Sequence, residues 1–163
     1  MLLALYALSR AEEPPTTTEE GSTGAAIAVG RVIYVVDGDT FYVEYITGGE
    51  GLPISIRTYL ASTPEVHRRP PECYGAEAEE YAWQLLFGRT VWLVHYGRLS
   101  HDRLLAFVYL DPEKLSLFQA VMIAQGFAKA DIIHPEEDRF EAQMIRLEDE
   151  ARSAGRGRWS ACR

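Results

Sequence analysis

The sequence predicts a β-barrel plus α fold: a small closed five-stranded barrel of the OB type with three packed helices. Three observations carry that expectation. The legible elements fall in the order β-β-β-α-β-β-α-α. The strand-like segments are short, rich in β-branched and aromatic residues, and separated by turn signals. The chain has 163 residues of which 47% are hydrophobic, enough for one domain with a sizeable core.

Residues 26–36, AIAVGRVIYVV, predict the first strand, and residues 39–46 the second. Between them the β-branched pair Val35-Val36 meets Asp37-Gly38-Asp39-Thr40, an acidic turn, and alternation resumes at Phe41. A hairpin needs only one Asp-Gly, so the second carboxylate, Asp39, asks for another role. Residues 52–60 alternate as a third strand, with Ile54, Ile56 and Leu60 on one face and Ser55, Arg57 and Tyr59 on the other. Arg57 is therefore expected to point away from the apolar face. Pro64 ends this strand by holding the residue before it extended.

A proline-rich loop over 64–72 leads into YGAEAEEYAWQLLFGR. There Ala78, Tyr81, Ala82, Leu85 and Leu86 recur at helical spacing, and Gly88 is the expected terminator. Residues 90–96 and 103–110 predict two more strands around the polar loop GRLSHD. Residues 115–126 are apolar nearly all round and predict a buried helix ended by Gly126. A last helix is expected over about 135–154. Pro135 and the acids Glu136, Glu137 and Asp138 suit its start, and Arg152 its end. Phe140, Met144, Leu147 and Ala151 form its apolar stripe.

Ahead of the domain, MLLALYALSR reads as the remnant of a signal peptide or as a frayed start, and AEEPPTTTEEGSTG as a disordered linker. The expected division is 1–25 for that leader and linker and 26–163 for the folded domain. No apolar run approaches the roughly 20 residues that span a membrane. The net charge of -8 argues against general polyanion binding unless basic residues cluster locally. Cys73 and Cys162 lie in no C-x-x-C pair, which argues against zinc and leaves two free thiols or one long-range bridge.

Three short pieces share one chemical logic. They are Asp37-Gly38-Asp39-Thr40, then Arg57 followed by Thr63-Pro64-Glu65, and finally Arg103 at the opening of a strand. Carboxylates and two guanidiniums near strand ends are what phosphodiester hydrolysis requires. Carboxylate oxygens hold a hard cation, a base orients or deprotonates water, and forked cations hold the phosphate. Each piece alone is an ordinary turn, loop or surface arginine. Their joint order is what points to a site.

That order, carried by VVDGDT, IRTYLASTPE, CYGAEA, DRLLAFVYL, QGFAKA and EARSAGRGRWS, resembles the staphylococcal nuclease (thermonuclease) family over residues 30–162. The resemblance implies a five-stranded OB barrel with three helices and a calcium-dependent endonuclease acting on DNA and RNA, with roles carried over position by position as follows. Asp39 would be the Ca2+-binding carboxylate and Thr63 would offer its backbone carbonyl. Glu65 would be the general base, and Arg57 and Arg103 would clamp the phosphate and stabilise its developing charge.

Some positions depart from the family pattern. The second calcium carboxylate falls on Ser62, whose neutral hydroxyl should weaken calcium binding by about an order of magnitude or more. A phosphate-contacting tyrosine falls on His101, and a nucleotide-packing tyrosine on Ile132. The resemblance also implies that the chain end packs beside the first helix through Trp159, so that Cys73 and Cys162 can bridge. A bridge would place the protein in an oxidising compartment, secreted or at the cell surface. A monomer without a membrane span is expected. The competing reading is a non-catalytic module of the same family that binds nucleic acid or a protein partner. Retention of Arg57, Glu65 and Arg103 favours the enzyme, while Ser62 and the acidic charge pull the other way. A plain single-strand binder is disfavoured, because no basic groove with interleaved aromatics is visible in the sequence.

Overall fold

The computed structural model describes residues 24–49, 51–132 and 138–162. Residues 1–23 of the expected leader and linker, and the start of the last helix at Pro135-Glu136-Glu137, lie outside those residues. Seven strands and four helices are described: β1 (Ala26–Val35), β2 (Thr40–Thr47), β3 (Ile54–Thr58), β4 (Ala61–Ser62), α1 (Gly75–Leu86), β5 (Thr90–Ser100), β6 (Arg103–Tyr109), α2 (Phe118–Ala124), β7 (Lys129–Ala130), α3 (Asp138–Ser153) and α4 (Arg158–Ala161).

Five strands form a mixed sheet whose hydrogen bonds close into a ring in the order β1-β2-β3-β6-β5. β1 makes the closure possible because it is long and bent. Its first half pairs with β5 and its second with β2, with register irregularities at Val29/Gly30 and Val32/Tyr34. Every seam is antiparallel except β3–β6, where Arg57 lies opposite Leu105 in a parallel pair. Alternation works as the sequence implied: Phe41, Val43, Ile56 and Leu93 face inward with no exposure.

The helices cover the ring. α2 contributes Phe118, whose ring meets Phe41 edge-on at 6.2 Å, together with Met122 and Ile123. α3 buries Met144 and Ala151 completely, and its Phe140 packs on Phe107 at 4.9 Å. α1 buries Ala78, Ala82 and Leu86, while Tyr81 and Leu85 are only partly covered. Gly88 and Gly126 both follow helices at positive φ (74° and 78°), as terminators should. One polar side chain is fully buried among these apolar groups. The Gln119 amide accepts from Val108 N–H and donates to the carbonyls of Tyr59 and Ala106, so both ends of the amide are satisfied.

Several expected boundaries shift. The second helix begins at Phe118 rather than residue 115, because the Asp111 carboxylate takes the N–H groups of Leu115 and Ser116 and holds them in a turn. The third strand stops at Thr58, since Leu60 adopts φ 58° and turns the chain away. The polar loop GRLSHD is mostly strand: Ser100 pairs with Arg103, and His101-Asp102 form a two-residue turn with φ 50° and 63°. The two-residue ladder β4–β7 and the single turn α4 add to the three helices and five strands expected. Among the described residues no helix is long and apolar enough to cross a membrane.

Cys73 and Cys162 are disulfide-bonded, with Cα atoms 5.8 Å apart across 89 residues of chain. The bridge joins the approach to α1 to the end of α4. Trp159 of α4 lies under two guanidiniums, Arg152 at 4.2 Å and Arg158 at 5.2 Å from its ring centre.

Candidate active site

The acidic turn between β1 and β2 is tight. The N–H groups of Val36 and Asp37 both donate to the Thr40 carbonyl, and Asp39 N–H donates to Asp37 Oδ1 at 3.1 Å. Asp37 thus shapes the turn, as the spacing implied. Gly38 is required by close approach: a Cβ there would lie 2.5 Å from Thr63 Cγ2. The turn is therefore pressed against the segment that follows β4.

Asp39 is buried and joins three separate stretches of chain. Its Oδ1 accepts from Arg57 Nη1 at 2.5 Å and from the Thr40 hydroxyl at 2.9 Å. Its Oδ2 accepts from Thr63 N–H at 2.9 Å. β2 and β3 place Thr40 opposite Arg57, which explains why the guanidinium reaches this carboxylate. Arg57 leaves the apolar face as expected but is largely covered, its side chain only 14% exposed. Arg103 completes the group by donating Nη1 to Thr40 Oγ1 at 3.2 Å and Nε to the Ser100 carbonyl at 3.1 Å. Thr40 is the residue that sequence reasoning passed over. Its hydroxyl gives to Asp39 and receives from Arg103, but a threonine entering a strand carries no signal of that.

Burial is the main cause that raises the Asp39 carboxyl to about 6, and the neighbouring Asp37 charge adds to it. Arg57, the Thr63 N–H and the Thr40 hydroxyl oppose the rise. Two carboxylates, Asp37 and Asp39, thus stand together in low-dielectric surroundings, with the Arg57 guanidinium bound to one of them. The donors are all oxygen, so their chemistry fits a hard divalent cation. Among the described residues no three His, Cys, Asp or Glu side chains converge as a metal cluster. That agrees with a hydroxyl, Ser62, at the expected second carboxylate position. Ser62 pairs with Lys129 across the β4–β7 ladder.

Glu65 is half-buried on the loop that leaves this ladder. Its backbone exchanges hydrogen bonds with Glu72: Glu65 N–H donates to Glu72 Oε2 at 3.2 Å, and Glu72 N–H to the Glu65 carbonyl at 2.9 Å. The first of these also holds the Glu72 carboxyl below its usual range, with Arg68 contributing. His67 ties the same loop to the acidic turn through Nε2 and the Val36 carbonyl, 3.0 Å apart. The loop is thus fastened at its neck and against the turn.

A small cleft of about 40 Å³ opens beside Arg57, with Tyr59, Ser100, Leu105 and Asp131 on its walls. The larger hollows, 790 Å³ on α3 and 500 Å³ between α1 and Phe127, contain none of the candidate residues. His101 is exposed at the β5–β6 turn. Ile132 packs against the core instead of standing free as a substrate wall.

Fold and constellation define a nuclease-like domain, a ring-closed five-stranded mixed sheet with helices packed on it, and sequence comparison agrees. Residues 55–161 match the family described as staphylococcal nuclease homologue, and the chain belongs to that family. It is 29% identical over 139 residues to the SPbeta prophage-derived endonuclease YokF of Bacillus subtilis, covering 77% of this chain but only 42% of that protein. It is 27% identical over 161 residues to protein ParB of Escherichia coli, covering 95% and 85% of the two chains. An uncharacterized protein of Methanocaldococcus jannaschii is 28% identical over 154 residues, covering 80% and 71%.

Proposed function

We propose that this protein is a calcium-dependent nuclease that hydrolyses phosphodiester bonds of DNA and RNA. The observation that carries the reading is the connected group Asp39–Arg57–Thr40–Arg103–Thr63, assembled from four stretches of chain, with Glu65 two residues past Thr63 on a tethered loop. Family membership and the endonuclease name of one relative support it. The strand ring with its single parallel seam supports an OB-type barrel as the scaffold.

Asp39 and Asp37, with the Thr63 carbonyl and Ser62 nearby, would hold the cation. When bound, calcium supplies positive charge to a phosphoryl oxygen and relieves the crowding of the two carboxylates. Arg57, opposite Thr40 across β2–β3, and Arg103, which donates to the Thr40 hydroxyl, orient the phosphate in the manner of a fork. As negative charge grows on the phosphate oxygens, the guanidiniums stabilise it at fixed positions. Glu65 takes a proton from the attacking water. The disulfide fits an oxidising compartment, so we place the protein in the secreted or surface-exposed class.

The test is incubation of the purified protein with denatured DNA and with RNA, with calcium or with a chelator. Strand cleavage in calcium, lost on chelation and in Glu65→Gln, is expected. Binding without cleavage under every condition would instead support a non-catalytic module.

A further inference from the structure

Tyr34 and Tyr42 stand on the outer face of the barrel, 59% and 37% exposed, with ring centroids 6.4 Å apart and planes tilted by 51°. Tyr34 pairs with Tyr42 across β1–β2, and Tyr42 pairs with Ser55 across β2–β3. Tyr42 lies two residues past Thr40 along β2, and Ser55 two residues before Arg57 along β3. Residues two apart on a strand share a face, about 7 Å from one another. The intervening Phe41 and Val43 are fully buried, which fixes Tyr42 outward. The two rings therefore lie on the same sheet face as Thr40, which stands opposite Arg57 in the β2–β3 register and accepts from Arg103. Beyond them lies the Arg31–Glu44 pair at 2.8 Å, which as a pair brings no net repulsion to a phosphate.

We propose that Tyr34 and Tyr42 form a base-stacking platform for the unpaired nucleotides next to the phosphate held by Arg57 and Arg103. The substrate class is then single-stranded nucleic acid, whose bases are free to leave their neighbours and lie on the rings. The proposal rests on the nuclease reading for the position of the phosphate. It also accounts for how a chain of net charge -8 retains its substrate. Stacking is independent of protein charge and tolerant of sequence, because every base has a π-face.

Binding is measured by fluorescence anisotropy in calcium-free buffer, with a labelled short oligothymidylate and an abasic strand of equal length. Wild-type protein is expected to bind the base-bearing strand about tenfold more tightly. The double variant Tyr34→Ala/Tyr42→Ala loses that preference while its affinity for the abasic strand is unchanged, and Tyr34→Trp/Tyr42→Trp keeps or strengthens it. With calcium present, the alanine variant raises KM for the oligonucleotide and leaves kcat near wild type. Equal binding of both strands by the wild-type protein, or an unchanged preference in the alanine variant, overturns the platform. A strand preference that needs the tyrosines, in a protein that cleaves nothing, overturns the nuclease reading and leaves the platform standing.

Discussion

At the scale of single residues, Arg57 carries two burdens at once. Its guanidinium satisfies a buried carboxylate and is also the proposed phosphate clamp. Arg57→Ala, Arg103→Ala and Glu65→Gln should each lower turnover by about 10² or more, measured as kcat on denatured DNA. Arg57→Ala alone among them should also lower the melting temperature. It leaves Asp39 buried beside Asp37 without its cation, at a cost of about 1–3 kcal/mol. Adding Asp39→Asn should restore the stability and not the turnover, which separates the two burdens. Ser62→Asp should lower the calcium concentration for half-maximal activity by about tenfold, since ligand charge sets calcium affinity. An unchanged calcium titration would remove Ser62 from the metal's neighbourhood. The sequence made Asp39, Arg57, Thr63 and Arg103 legible because their order over the chain is informative even though each type is common. The hydroxyl of Thr40 and the tether through His67 were not legible, because both depend on strand register and loop path.

At the scale of elements, the site rests on contact between a turn and the stretch after β4. Gly38→Ala would set a methyl group 2.5 Å from Thr63 Cγ2, so one of the two segments must move. The expected result is a loss of about 1–3 kcal/mol in thermal or urea unfolding, with a larger fractional loss of activity than of fold. Wild-type activity in that variant would show that the spacing of turn and ladder is not critical. The strands were legible because inward and outward residues alternate, as in Phe41-Tyr42-Val43. The helix over 75–86 was legible by its period and that over 118–124 by its unbroken apolar run, each with a closing glycine. The β4–β7 ladder was not, since two residues give no period and their pairing spans much of the chain. The start of α2 was missed for a related reason. Asp111 captures two backbone N–H groups that an apolar run would otherwise commit to the helix.

At the scale of the whole molecule, the disulfide ties the approach to α1 to the chain end. Closing 89 residues stabilises by roughly 4–5 kcal/mol in the chain-entropy picture. Thiol titration should find no reactive thiol in the unreduced, denatured chain, and Cys73→Ser/Cys162→Ser should unfold at lower temperature. Two reactive thiols without reductant would remove the bridge and the argument for an oxidising compartment. The parallel seam between β3 and β6 has a different kind of consequence, one of timing. Asp39 meets Arg57 across only 18 residues, whereas Arg103 meets Thr40 across 63. Contacts between distant parts of a chain form late, and a chain made from its N-terminus has no β6 to add until well past its middle. The second guanidinium is thus the last piece installed, so on the proposed function a nascent chain still joined to its messenger would carry the site in incomplete form beside the very RNA being translated.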